Sequence, residues 1–274
     1  MTLSRKEMYP MNENLLTKDL YDNIIFLSKK LNIHSFSTYK EHLKNLEILI
    51  PDFTTEQALY HLLEIENELK ERNKYNYRIK IAAFPVIKTL DTFEFNEKRL
   101  PELRKDVVMD LATCDFIKNK QNIVAIGNPG TGKSHLLTAI AIEAILKGYT
   151  VRFKRASELV TQMTEAASEK QLTQYIKRVN SCDILFIDEM GFLSFDAAGA
   201  SLLFQIFAAR YETKSTMVTS NLEFSKWVSF LGKDEHMSAA LIGRLVHNST
   251  ILNMNGENYR AKSRSKDSVD KPSS

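Results

Sequence analysis

The most constraining feature of the sequence is an alternation of short apolar runs with longer helical patterns beyond residue 101. A strand buried on both faces is a continuous apolar run, whereas a helix repeats its apolar residues every three or four positions. The alternation therefore predicts an α/β domain with a mostly parallel sheet and helices on both faces. The runs are Ile123 to Ile126, Val151 to Phe153, Ile184 to Ile187, Met217 to Val218 and Thr250 to Leu252, and the helical patterns lie near 134–147, 156–179, 197–212 and 237–247.

The first third of the sequence has helical spacing and no obvious strand. Proline removes a backbone donor, so Pro85 is expected to end the last of these helices. The patterns divide the chain into a helical domain at 1–75 with partner or DNA contacts, a linker at 76–100, an α/β domain at 101–262 and a disordered tail at 263–274. The individual helices are expected at 16–31, 38–48, Asp52 or Thr55 to about Ala83, and Pro101 to about Ile117.

The composition excludes several classes of protein. The 37 basic and 34 acidic residues give a formal charge of +3, which permits nucleic acid as a partner without favouring it. Cys114 and Cys182 lie far apart and form no Cys-x-x-Cys pair, which excludes a zinc ribbon and a disulfide scaffold. No apolar run approaches the length of a membrane span, and polar residues follow the start, so a cytoplasmic protein is expected.

Residues 127–134 match the pattern G-x-x-x-x-G-K-[S/T], which is typical of a phosphate-binding loop between a strand and a helix. Glycines allow successive backbone N–H groups to face one anion. Lys133 places a positive charge on the outer phosphates, and the Ser134 hydroxyl is a suitable ligand for Mg²⁺. The sequence therefore predicts a nucleotide site at Gly127, Asn128, Pro129, Gly130, Thr131, Gly132, Lys133 and Ser134.

Two adjacent carboxylates follow the apolar run Ile184 to Ile187. Because parallel strands end at one common sheet edge, Asp188 and Glu189 are expected beside the phosphate loop. Asp188 suits binding of Mg²⁺, directly or through water, and Glu189 suits polarising the attacking water. An acidic turn after a core strand is the alternative.

Two further polar residues are candidates for a role in the reaction. Asn221 follows another short strand, where its amide could orient the water or contact the γ-phosphate; a strand-end turn is the alternative. Arg244 lies in a helical pattern, and its permanent charge suits a finger that reaches the γ-phosphate of a neighbouring subunit. Pairing with the carboxyl end of its own helix is the alternative for Arg244.

The order and spacing of these candidate residues resemble those of an AAA+ ATPase. The residues concerned are the phosphate loop, the two carboxylates, Asn221 and Arg244. More narrowly, the chain resembles the IstB family of insertion-sequence helper ATPases, and the related DnaC-type helicase loaders, over roughly residues 16–262. The more specific stretches are Phe84 to Leu90 and Arg210-Tyr211-Glu212, and further matches are Phe93, Phe95, Gly132 to Leu136, Thr219 to Asn221, Trp227 and Gly256 to Arg260.

The resemblance implies an AAA+ P-loop domain, a three-layer αβα fold with a five-stranded parallel sheet, preceded by a small all-α domain. It implies that Asp188 and Glu189 form the Walker B pair, and that Asn221 is sensor 1. It also implies that His135 belongs to the nucleotide site, that Arg244 acts in trans and that Arg260 is a sensor-2-like contact. Gly243, where the family usually has an acidic residue, is a departure beside Arg244.

The same resemblance implies ATP and Mg²⁺ as cofactors and ATP hydrolysis as the activity. It further implies ATP-dependent self-association on DNA and partnership with a transposase encoded alongside. A DnaC-type helicase loader is the first alternative function, since it shares the ATPase core. A small-molecule kinase is the second, although the sequence has no clear acceptor pocket or arginine-rich lid.

Two basic clusters are candidate DNA contacts. The helical pattern 156–179 is a long insertion, and the resemblance to initiator-type AAA+ proteins implies that it faces DNA. A solvated helix face is the alternative for each cluster, and contacts of this kind would be largely independent of DNA sequence. The first cluster is Lys170, Lys177 and Arg178, and the second is Lys70, Arg72, Lys74, Arg78 and Lys80.

Overall fold

The computed structural model describes residues 20–259, which divide into two compact units between Asn76 and Tyr77. Arg260, the tail expected at 263–274 and the beginning of the first expected helix lie outside the described residues. No helix between residues 20 and 259 is both long and apolar enough to cross a membrane.

The described part of the first unit, residues 20–76, is built from helices, as its spacing predicts. A reciprocal cap begins the longest of them: Thr54 N–H donates to Gln57 Oε1 at 2.8 Å, and Gln57 N–H donates to Thr54 Oγ1 at 3.3 Å. This helix continues past the division into the second unit. The elements are α1 (Leu20–Lys30), a 3-10 turn (His34–Thr38), α2 (Tyr39–Leu49) and α3 (Thr55–Ala82).

The second unit contains a five-stranded sheet in which every described strand pair is parallel. Its strand order is β2-β3-β4-β1-β5, so β1 and β3 flank β4. In four of the five apolar runs that predicted the strands, the apolar side chains are almost completely buried, which confirms the α/β fold; in the run Thr250 to Leu252, Ile251 is 47% exposed. The strands are β1 (Asn122–Ile126), β2 (Val151–Arg155), β3 (Ile184–Met190), β4 (Ser215–Ser220) and β5 (Ser249–Asn253).

Helices connect the strands of this sheet. The helix after β1 is apolar on nearly all sides and has ten buried residues among fourteen, because it packs between the sheet and other elements. The helices of the second unit are α4 (Lys105–Ala112), α5 (Asp115–Lys118), α6 (Lys133–Leu146), α7 (Ala156–Ser168), α8 (Leu172–Val179), α9 (Ala197–Arg210), α10 (Trp227–Phe230) and α11 (Glu235–Val246).

Two helical patterns are interrupted where the sequence predicts continuous helices. The pattern 156–179 forms α7 and α8, because Lys170 adopts a left-handed conformation with φ of 59°. Its N–H donates to Ala167 O, and Gln171 N–H donates to Ala166 O, which is a Schellman ending. Likewise, the helix expected from Pro101 begins only at Lys105 and is interrupted at Cys114, with φ of 66°.

Residues 77–100 belong to the second unit, so the segment expected as a linker packs against the sheet domain. Phe84 contacts Phe153 of β2 with ring centroids 6.1 Å apart, and Phe153 in turn contacts Phe186 of β3. At the other end of the segment, Phe93 is buried beside the loop that follows β1. These contacts fix the segment at two points of the domain.

Candidate functional site

The loop between β1 and α6 has the backbone that its glycines permit. Gly130 and Gly132 have φ of 78° and 96°, in the left-handed region. A Cβ on Gly127 would lie only 2.3 Å from the carbonyl group of Met254, so glycine is required there by close backbone approach. The loop ends at the amino terminus of α6, where backbone N–H groups and the helix dipole favour an anion.

Lys133 and Ser134 open α6 and point into the structure at this edge. Lys133 is only 6% exposed, and its Nζ donates to the carbonyl oxygens of Gly127 and Asn128, at 2.7 Å each. The Ser134 hydroxyl donates to Oδ1 of Asp188 at 2.7 Å. The predicted loop and the predicted carboxylate are therefore in direct contact.

A bulge at the end of β3 separates the environments of its two carboxylates. The pairing of β3 with β4 shifts between Ile187 and Met190, and Glu189 has a left-handed φ of 61°. Asp188 is 6% exposed, whereas the Glu189 side chain is 45% exposed. A bulge re-aims side chains in this way, so one carboxylate is held inside the site and the other faces solvent.

Thr219, which the sequence prediction did not include in the site, connects both carboxylate residues to β4. Its hydroxyl donates to Asp188 Oδ1 and accepts from the backbone N–H of Glu189 at 3.0 Å. Thr219 is 2% exposed. The only sequence signal for this role is a polar residue near the end of a strand, and it becomes specific only once β4 is placed beside β3.

Arg155, at the end of β2, is a second residue that the sequence did not single out. Its Nε lies 3.5 Å from Oε2 of Glu189, and both side chains are about half exposed. The parallel pairing places Arg155 opposite Asp188. The carboxylate of Glu189 is therefore held in an ion pair across two neighbouring strands.

Asn221 follows β4 directly and is exposed at the same sheet edge. The preceding residue, Ser220, pairs with Ile126 at the end of β1, and its carbonyl accepts from Gly127 N–H at 3.2 Å. The structure therefore places Asn221 close to the beginning of the phosphate loop, because β4 and β1 are neighbouring strands.

Arg244 lies near the end of α11 and is half-buried. Its Nη1 donates to Ala240 O at 3.0 Å, and its guanidinium lies 4.7 Å from the ring centroid of Phe204 in α9. Within one chain, these contacts hold the Arg244 side chain against α9 and α11, so the side chain does not extend from the surface.

The proposed DNA contacts lie at and beyond the break between α7 and α8. Lys170, Lys177 and Arg178 are all exposed. The guanidinium of Arg178 lies 5.2 Å from the ring centroid of Tyr175, and the hydroxyl of Tyr175 donates to Gln162 of α7 at 2.7 Å. Arg260, the remaining site residue expected from the sequence, lies outside the described residues.

The chain after β5 packs over the phosphate loop. Asn128 Nδ2 donates to Gly256 O at 3.4 Å, and Tyr259 N–H donates to Gly130 O at 2.9 Å. The Asn258 side chain occupies the space that a Cβ on Gly130 would need, since the two would be 2.1 Å apart. The loop is thus enclosed on one side by residues 254–259.

Comparisons with known proteins identify relatives of this chain. A family model described as IstB-like ATP binding protein matches residues 13–267. An ATP-binding protein of insertion sequence IS5376 from Geobacillus stearothermophilus is 38% identical over 75% of this chain and 81% of its own length. A second, named for insertion sequence IS21 of Pseudomonas aeruginosa, is 35% identical over 70% of this chain and 71% of its own length.

A solved structure has a similar fold. DnaA from Aquifex aeolicus, in a structure bound to AMPPCP, superposes with a TM-score of 0.50 and 23% identity, covering 69% of this chain and 58% of that one. At this identity the likeness concerns the fold alone, an α/β domain.

Proposed function

The chain belongs to the IstB-like ATP binding protein family, and we propose that it is an ATPase that assembles on DNA and assists a transposase. The hydrogen bond between Ser134 and Asp188 carries the proposal, because it joins the phosphate loop to a buried carboxylate where a triphosphate and its metal would meet. The relatives named for insertion sequences support transposition as the process.

Lys133 is positioned to hold the outer phosphates of ATP. Its Nζ is bonded to two neutral carbonyl oxygens of the loop itself. A hydrogen bond between two charged groups is stronger than one to a neutral carbonyl, so phosphate oxygens would compete well for this ammonium group. The backbone N–H groups of the loop and the amino terminus of α6 add further attraction for the phosphates.

The oxygen atoms beside Lys133 fit Mg²⁺. The Ser134 hydroxyl and Oδ1 of Asp188 lie 2.7 Å apart, and Mg²⁺ prefers hydroxyl, carboxylate and water oxygens. These two groups would hold the ion, directly or through water. Bound there, Mg²⁺ would neutralise negative charge on the phosphates.

Glu189 and Asn221 are the residues that we assign to the attacking water. Glu189 is exposed beside buried Asp188, so its carboxylate can reach a water that approaches from solvent. As a general base it would polarise that water, and the Asn221 amide would orient it. The Arg155 ion pair must loosen for Glu189 to take this role.

Self-association would complete the site with Arg244 from a neighbouring copy. To act in trans, the guanidinium must leave Phe204 and Ala240. A cation–π contact at a partly exposed site contributes about 0.5–1 kcal/mol. An arginine finger accelerates phosphate cleavage by roughly 10³–10⁵ in related chemistry, so the transition-state stabilisation that it would supply exceeds the cost of losing the cation–π contact.

A test of this function uses the full-length chain, duplex DNA and three variants. Lys133→Ala should abolish ATP binding and turnover, whereas Glu189→Gln should retain ATP, lose hydrolysis and accumulate DNA-bound assemblies. Lys118→Ala is the control, because that side chain is 70% exposed and pairs with surface Asp115. Unchanged turnover in Lys133→Ala, or normal hydrolysis in Glu189→Gln, would refute the proposal.

The partner requires a separate experiment. The chain should co-purify, in the presence of ATP and DNA, with the transposase encoded beside it. Recovery of a replicative helicase instead would favour the helicase-loader alternative.

A further inference from the structure

His135 contacts a segment that is distant in sequence but adjacent to the phosphate loop. Its Nε2 lies 3.2 Å from the carbonyl oxygen of Thr89 and 3.2 Å from Oγ1 of Thr92. Its ring meets that of Phe93 edge-to-face, with centroids 5.3 Å apart and planes at 90°. One side chain in the first turn of α6 thus makes three contacts with residues 89–93.

The hydrogen bonds determine which nitrogen of His135 carries the proton. The Thr92 hydroxyl donates to Thr89 O at 2.9 Å, so its single proton is already used. A carbonyl oxygen only accepts, and therefore the Nε2–H of His135 donates and is shared between Thr89 O and Thr92 Oγ1.

Residues 84–95, which we name the crossing segment, contact the chain on both sides of Lys133 and Ser134. Phe93 lies against Gly132, where a Cβ would be 3.1 Å from the Phe93 ring. His135 lies on the other side, and Lys133 and Ser134 stand between these two contacts. At its opposite end the segment is anchored by Phe84 on Phe153 of β2.

We propose that His135 is a positioning residue that couples phosphate binding to the order of the crossing segment. The inference rests on the proposed ATP site. When Lys133 exchanges the loop carbonyls for phosphate oxygens, the first turn of α6 is held more firmly, and His135 transmits that restraint to Thr89, Thr92 and Phe93. Conversely, displacement of the crossing segment would break the hydrogen bonds of His135 Nε2 and weaken the binding of the phosphates.

Hydrogen–deuterium exchange of the full-length chain, with and without ATP and Mg²⁺, tests this coupling. In the natural chain, ATP should slow exchange in both 127–134 and 89–95. In His135→Phe, which keeps an aromatic ring but has no N–H donor, ATP should slow exchange in 127–134 only. Affinity for ATP should fall about fivefold, the order expected for one hydrogen bond.

The conservative variant His135→Gln places an amide N–H at a similar distance along the side chain and should restore protection of 89–95. Thr92→Val removes one acceptor of the His135 hydrogen bond and leaves the histidine in place, so it should partly reduce the protection of 89–95. This second variant keeps the test valid if His135→Phe fails to fold. Protection of 89–95 that persists in His135→Phe, or that never appears in the natural chain while 127–134 is protected, would overturn the coupling. Absence of protection in both segments would contradict the proposed ATP site itself.

Discussion

The hydroxyl of Ser134 donates to Oδ1 of Asp188 across 2.7 Å, although the two residues are 54 positions apart in the sequence. Ser134 belongs to the first turn of α6, and Asp188 belongs to the end of β3. The two residues can meet because a single strand, β4, lies between β1 and β3, and all three parallel strands end at the same edge of the sheet. In our proposal this pair holds the metal that accompanies ATP.

Thr219→Val should weaken the metal site without abolishing the loop. The substitution removes a donor to Asp188 and leaves the part-buried N–H of Glu189 without its acceptor. Leaving one buried polar group unpaired costs about 1–3 kcal/mol, so the free energy of unfolding should fall by that order. The Mg²⁺ concentration for half-maximal hydrolysis should rise several-fold, as measured by titration, while exposed Thr173→Val should match the natural chain in both measurements.

Arg155→Ala should raise basal ATP hydrolysis a few-fold. Arg155 holds the Glu189 carboxylate at 3.5 Å, and its removal leaves that carboxylate able to turn toward water. An exposed ion pair contributes at most about 1 kcal/mol, so urea unfolding should change little. Steady-state hydrolysis without DNA is the measurement, with exposed Arg72→Ala as the control. A lower rate in Arg155→Ala would show that the pair supports catalysis instead of restraining it.

Glu66→Gln should reveal a pH-dependent contribution to the stability of the first unit. Burial raises the pKa of Glu66, but the hydrogen bond from Ser35 N–H at 2.8 Å and the ion pair with Lys70 outweigh it, so the net pKa lies below its ordinary value of 4.5. A lowered pKa gives stability that is present above pH 4.5 and is lost as the pH falls through the folded-state pKa.

The natural chain should therefore be more stable than Glu66→Gln at pH 7, and the difference should shrink steadily below pH 4.5. Urea unfolding followed by helical circular dichroism across this range measures it. Exposed Glu68→Gln should show no such trend. A difference that stays constant from pH 7 to acid would contradict the role of the Glu66 charge.

Lys177→Ala should weaken DNA binding to a similar extent on unrelated sequences. A phosphate contact releases counterions, so its loss should reduce the slope of log affinity against log salt by about 0.9 on duplex DNA. Fluorescence anisotropy over a salt series measures the slope, with Lys118→Ala as the control for an exposed lysine elsewhere. An unchanged slope would indicate that α8 presents a solvated face.

Local patterns in the sequence predicted much of the fold. Apolar runs identify all five strands, and their apolar side chains are almost completely buried in β1 to β4, as expected of strands that are covered on two faces. The break at Lys170 was not predicted, because a left-handed residue other than glycine leaves little trace in the spacing of apolar residues.

The sequence by itself determined the strands, the glycine-rich loop and the identity of the side chains at the strand ends, since each depends on short-range spacing. Only the tertiary structure decided that Thr219 bridges the two carboxylate residues, that Arg155 pairs with Glu189 and that His135 holds residues 89–93. The physical reason is strand order and register: neighbours across a parallel sheet are set by the packing of the whole domain, and a single bulge in β3 then directs one carboxylate inward and the next toward solvent.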